Sequence, residues 1–260
     1  MLNIKSLLYG RKVSCVVVAC IFFAGLLVRV VYCILSDRIA KDSFYYMSSA
    51  EFLLKSGWSI KDLYAEKVIN CPPLIFYYLA FARSIGFDIK FSGITLSLIS
   101  GALVPIGIYF CSVQIFKNRM YALFASLIVV VHPYCVEIST SILRDAPYHC
   151  FFLFTIAAGM RAAITEKTRY WFLFGFLAGL AGLFRIEASE LILIYILWAS
   201  YFLFLKKEGK FKKVFIWSLA VSSCFFVLTY PFWLYVEINT RHAWSLYQPM
   251  HKLFRNNNVK

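Results

Sequence analysis

Residues 72–86 read PPLIFYYLAFARSIG, and whether they cross a membrane sets the orientation of everything after them. The stretch is apolar but short: fifteen residues make about 22 Å of helix, against the ~30 Å of hydrocarbon that a span must cross. Two prolines open it and Arg83 lies inside it. Longer apolar runs lie on either side, at 13–35, 91–115, 120–136, 147–163, 169–187, 188–205 and 213–236. Each falls within the ~17–25 residues of a transmembrane helix.

Charge resolves the ambiguity, because lysine and arginine gather in short cytoplasmic loops. With 72–86 on the surface, the cytoplasmic segments are 1–12 (Lys5, Arg11, Lys12), 116–119 (Lys117, Arg119), 161–169 (Arg161, Lys167, Arg169) and 206–213 (Lys206, Lys207, Lys210, Lys212, Lys213). With 72–86 crossing, the lysines of 206–213 would face outward. The rule selects an all-α polytopic membrane protein with about seven transmembrane helices and a cytoplasmic N-terminus. Residues 1–236 then form one membrane-embedded module with an outer loop at 36–90, and 237–260 form an external tail.

Composition agrees. The 260 residues are 61% apolar and 15% charged, with a mean hydropathy of +0.72, whereas soluble domains carry about 25% charged residues. A soluble domain and a disordered tail are excluded. The net charge of +14 records topology rather than a nucleic-acid partner. The run at 13–35 exceeds the ~7–15 residues of a signal-peptide core and lacks an A-x-A site, so it reads as an uncleaved anchor. The eight cysteines form no CxxC pair and read as small membrane-core residues. Of these, only Cys71 and Cys135 share an oxidising side, and nothing in the sequence pairs them.

The outer loop carries its own helix. Asp42 reads as an N-cap, 43–56 as helix and Gly57 as a C′ stop. Tyr46, Ala50 and Leu54 recur every four residues and share one face. With 72–86, this helix forms a lid of amphipathic helices at the lipid interface, over the outer mouth of the bundle.

Charges near a membrane core persist for a reason, and here they crowd the outer rim: Arg29, Asp42, Arg144 with Asp145, and Arg185 with Glu187. Asp42 suits a general base toward a hydroxyl, or a helix cap. Asp145 precedes Pro147 at a helix start, where a carboxylate also simply complements the dipole. Arg185 matches a lipid phosphate through its guanidinium fork, or snorkels to water beside Glu187. The glycines and alanines before it (Gly175, Ala178, Gly179, Ala181, Gly182) permit close helix approach. His132, His149, His242 and His251 show no ligand spacing, and no phosphate-binding or nucleophile-elbow motif appears. No cofactor is called for and no divalent metal is indicated.

In order, the chain shows Arg29, a D-x3-Y-x3-A-x6-G run (Asp42, Tyr46, Ala50, Gly57), and PPL (Pro72, Pro73, Leu74) leading to Gly86. Pro133, Ser139, Ser141 and Asp145 follow, then W-x3-G-x2-AGLA-x2-FR-x-E from Trp171 to Arg185 and Glu187. Across 29–187 this resembles the N-terminal membrane module of C-type glycosyltransferases, in particular dolichyl-phosphate-mannose protein mannosyltransferases and aminoarabinose lipid A transferases. The resemblance implies transfer of a sugar from a polyprenyl-phosphate carrier to a hydroxyl acceptor on protein, lipid or glycan, at the outer or lumenal face. It implies Asp42 as base and Asp145 as a shaper of the site. Arg185, Glu187, Arg29, Tyr46 and Arg144 are the candidates for binding the carrier and substrate. Several members carry Asp-Glu where this chain has Asp42 and Ser43, and members usually run longer, which implies either the N-terminal part of such an enzyme or a companion subunit that supplies a C-terminal half. The alternatives are a non-catalytic membrane subunit and a transporter; rim charges, rather than midplane ones, weigh against the latter. The outer loops lack N-x-[ST] acceptors, which favours a bacterial plasma membrane over the endoplasmic reticulum.

Overall fold

The computed structural model describes residues 4–36, 40–59, 71–205, 211–230 and 232. The lysines at 206, 207 and 210, the loop at 60–70, the tail at 237–260 with His242 and His251, and the end of the expected last span at 233–236 lie outside the described residues, as do the side chains of Lys5, Arg11 and Lys12. Every element among the described residues is helical: α1 (Ile4–Leu35), α2 (Lys41–Lys55), α3 (Leu74–Ser84), α4 (Ile89–Phe116), α5 (Arg119–Val131), α6 (Pro133–Glu137), α7 (Asp145–Thr165), α8 (Thr168–Phe184), α9 (Ser189–Leu205) and α10 (Phe211–Tyr230).

Five helices are long and apolar enough to cross a membrane: Cys15–Leu35 within α1, α4, α7, Ile186–Leu205 and α10. The expected third and fifth spans are shorter. α5 has 13 residues and α8 has 17. Hydropathy reads 120–136 as continuous, but Pro133 starts a new helix and His132 turns extended before it (φ −63°, ψ 120°), as a residue before proline tends to do. Residues 72–86 form the 11-residue α3, about 16 Å long and too short to span.

α4 is the centre, packed by α1, α5, α7 and α3. Gly93 faces Ile142, Gly107 faces Leu153, and Gln114 donates to the Ala157 carbonyl at 3.0 Å. These pairs ascend together, so α4 and α7 run parallel, while α5 packs on α4 and α1. α8 and α10 are parallel by the same criterion, with Gly175 on Val221 and Gly182 on Thr229. A Cβ on Gly175 would lie 2.6 Å from the Val221 carbonyl oxygen, so the small-residue run does let two backbones touch. Trp171, Trp198 and Trp217 fill the space beside this contact, the first two with ring centroids 4.5 Å apart.

This direction of travel sorts the charges. Arg144, Asp145, Arg185 and Glu187 fall at the end where α7 and α9 begin, while Lys117, Arg119, Arg161, Lys167, Arg169, Lys212 and Lys213 fall at the other. α2 and α3 pack against each other, and α3 also meets α4 and α8. Leu53, Ile75, Phe76 and Leu79 are fully buried, so these two helices are part of the bundle's core at the first end. Gly57 stops α2 as expected: at φ +66° its N–H bonds Leu54 O and the N–H of Trp58 bonds Leu53 O, the paired bonds of a Schellman stop.

Candidate active site

Asp42 is not the N-cap. Ala40 takes that position with φ −61° and ψ 145°, and the helix opens at Lys41, so the extended approach of the chain starts the helix two residues earlier than the carboxylate signal suggested. Asp42 sits exposed in the first turn, and no hydrogen bond or ion pair engages its carboxylate among the described residues. Two residues of the same helix turn inward. Ser43 is fully buried and donates to the Ile142 carbonyl at 3.2 Å, which fastens α2 to the second outer loop. Tyr46 is buried against Phe76, with centroids 5.9 Å apart.

Tyr46 reports the local field. Burial, opposed by Arg144 and reinforced by Cys71, Asp42 and Asp145, pushes its phenol up to about 12. Burial likewise pushes the Cys71 thiol up to about 11, with Arg144 opposing and Asp42 adding. Asp42, Arg144 and Asp145 thus lie within electrostatic reach of one buried tyrosine, and both Tyr46 and Cys71 stay neutral donors near pH 7.

Asp145 is the first residue of α7, with Pro147 in the same turn. Its carboxylate accepts from Nη1 of Arg185, so it is committed to a guanidinium. Nη2 of Arg185 donates to Glu187 at 2.6 Å, while Nε is buried without a partner. α8 ends at Phe184; Arg185 is extended (φ −145°, ψ 137°) and a single 3-10 turn at Ile186–Ala188 carries Glu187. That break aims the arginine and the glutamate at one another. The Tyr148 ring lies under the guanidinium, 5.6 Å from centroid to Cζ.

Arg29 has a different fate. It is fully buried, with Nε donating to Ser139 Oγ at 3.2 Å and Nη1 to the carbonyls of Gly25 at 3.0 Å and Val130 at 3.4 Å. With no exposed surface in this conformation, the side chain forms an interior tie between α1, the end of α5 and the loop at Ser139. Tyr148 is absent from the sequence-based candidates, and Cys71 stands among them only as a cysteine on the oxidising side. The spacing from Asp145 to Tyr148, one helical turn after a predicted start, was the signal that could have found the tyrosine. No disulfide joins Cys71 to Cys135, and no group of three or more His, Cys, Asp or Glu suited to a metal occurs among the described residues.

The arrangement offers an exposed, uncommitted carboxylate in Asp42, two further carboxylates, Asp145 and Glu187, paired to Arg185, and two guanidiniums at one end of a helical bundle. That set can remove a proton from a hydroxyl and accept a departing phosphate. Residues 70–235 match the family model described as dolichyl-phosphate-mannose-protein mannosyltransferase. No curated protein and no solved structure matches the chain.

Proposed function

The chain belongs to the dolichyl-phosphate-mannose-protein mannosyltransferase family, a family of membrane glycosyltransferases, and from that premise we propose that it transfers a sugar from a polyprenyl-phosphate carrier to a hydroxyl acceptor on the outer or lumenal face. Residues 1–236 are read as one membrane module whose outer loop at 36–90 covers the site. Asp42 takes the proton of the acceptor hydroxyl. The oxygen attacks the anomeric carbon, the bond from that carbon to the carrier phosphate breaks, and polyprenyl phosphate leaves with the electron pair. Phosphate is a good leaving group, so this chemistry asks for no metal.

The observation that carries the reading is the division between the two carboxylates. Asp145 is held by Arg185 and cannot also serve as base without giving up its partner, whereas Asp42 is exposed and uncommitted. Arg144 and Arg185 supply the cations for the leaving phosphate. On Arg185 the phosphate takes the place of Glu187, the more exposed of its two carboxylates at 47% against 21% for Asp145. Asp145 then orients the guanidinium, and Tyr46 offers a neutral hydroxyl donor beside the base.

The test compares sugar transfer from polyprenyl-phosphate donors in vesicles containing wild type or Asp42→Asn. A general base contributes roughly 10²–10⁴-fold, so turnover should fall by that factor while donor binding is retained. Equal turnover in the two removes Asp42 from the mechanism.

A further inference from the structure

The end of the bundle away from Asp42 carries a feature that sugar transfer does not use. α9 and α10 line a groove of about 270 Å³ there. Tyr195, Ala199 and Leu203 line it from α9 at four-residue spacing, and Phe211, Val214 and Phe215 line it from α10. The hydroxyls of Tyr195 and Ser218 face the groove but bond each other at 2.9 Å. The long slot therefore suits an apolar chain rather than a polar metabolite. Phe211 and Phe215 are 72% and 60% exposed, which leaves its flank open to the surrounding hydrocarbon.

The mouth is basic. Lys212 and Lys213 sit on the first turn of α10, and Arg161, Lys167 and Arg169 gather where α7 passes into α8. Against these, Glu166 is the one carboxylate described in the α7–α8 turn, and it pairs with Lys213 at 3.4 Å. Arg161 and Arg169 flank Tyr170 at 6.0 and 4.8 Å from its ring centroid. An apolar slot with a cationic rim is complementary to a lipid with an anionic head.

We propose that this groove holds an acyl chain of an anionic phospholipid, whose phosphate is taken by the cations of the α7–α8 turn and the start of α10. The polyprenyl-phosphate carrier shares this chemistry but belongs elsewhere. α7 has 21 residues, so its basic end lies about 30 Å from the Asp145 end where Arg185 and Glu187 stand. A phosphate bound here is out of reach of the base.

The experiment uses the full chain in neutral detergent and counts retained lipid by native mass spectrometry while phosphatidylglycerol, phosphatidylcholine or polyprenyl phosphate is titrated in. Phosphatidylglycerol should bind well ahead of phosphatidylcholine. Lys212→Gln with Lys213→Gln should weaken it about 30-fold, from a contribution of about fivefold per lysine at a membrane surface. Ala199→Phe fills the groove and should abolish the retained phosphatidylglycerol. Melting in lipid-free detergent shows whether that variant folds; if it does not, the exposed lysine pair alone decides. Equal binding of the two phospholipids, preference for polyprenyl phosphate, or unchanged affinity in the lysine double variant overturns the proposal. None of these outcomes depends on sugar transfer, so failure here and failure of the Asp42 reading are separable.

Discussion

Arg185 is held by two carboxylates of unequal burial, and the inequality predicts unequal coupling. The Asp145 side chain is 21% exposed and the Glu187 side chain 47%, with Arg185 itself at 27%. A charge-assisted hydrogen bond shielded from water contributes about 1.5–3 kcal/mol, whereas exposed pairs contribute about 0.2–1 kcal/mol. Asp145→Ala should therefore destabilise the fold by about 2–3 kcal/mol. Part of that, ~0.3–1 kcal/mol, is the lost carboxylate at the start of α7. Glu187→Ala should cost under about 1 kcal/mol. The helix-terminus contribution cancels in a double-mutant cycle with Arg185→Gln, so the cycles should return a coupling of about 2 kcal/mol for Asp145 and below about 1 kcal/mol for Glu187. Reversible unfolding in mixed micelles of mild and denaturing detergent measures the three single and two double variants. A Glu187 coupling equal to or above that of Asp145 would refute the assignment of Asp145 as the fixed partner and Glu187 as the one a phosphate displaces.

Gly175→Ala should destabilise by about 1–3 kcal/mol in the same unfolding experiment, because the new Cβ lies 2.6 and 2.8 Å from the Val221 backbone, which cannot rotate away as a side chain would. Gly182→Ala, 3.1 Å from a Thr229 methyl, should cost less; equal costs would show that α8 and α10 do not meet backbone to backbone at Gly175. Cys71, with its thiol pushed up to about 11 from 9.0 by burial, exposes about 100-fold less thiolate at neutral pH than an ordinary cysteine. In a chain whose other cysteines are replaced by alanine, its maleimide reaction should go on accelerating tenfold per pH unit past pH 9, toward about 11; a plateau near 9 would refute the burial of that thiol.

How much of this was legible beforehand depends on what each feature rests upon. Long helices follow from apolar length, so the two ends of the bundle, and the gathering of Asp42, Asp145, Arg185 and Glu187 at one of them, could be counted off from the order of runs and basic loops. The shortness of α3 was legible for the same reason. α5 was not: the run at 120–136 has no charged residue, and only the pair His132–Pro133 marks where one helix ends and the next begins. The start of α2 lies two residues before the expected one, which rested on the carboxylate as a strong capping signal, whereas the actual start depends on the direction in which the chain arrives at Ala40.

Arg29 and Arg185 show why burial of a charge is the least legible quantity of all. Each is an arginine at the end or within an apolar run, yet Arg185 meets two carboxylates while Arg29 meets only neutral oxygens and leaves Nη2 without a partner. A buried guanidinium with no counter-charge is costly, so its retention points to what it ties together. Its three bonds reach Gly25 in α1, the last turn of α5 at Val130, and Ser139 in the loop that leads to Asp145. Gly101 makes room for this knot, since a Cβ there would lie 2.8 Å from the Arg29 Nε. The loop fixed at Ser139 is the same one that Ser43 fastens from α2 through Ile142. Two independent ties, one from the bundle interior and one from the helix that bears Asp42, thus hold the segment between α6 and α7, and so set where Asp145 and its guanidinium stand relative to the base.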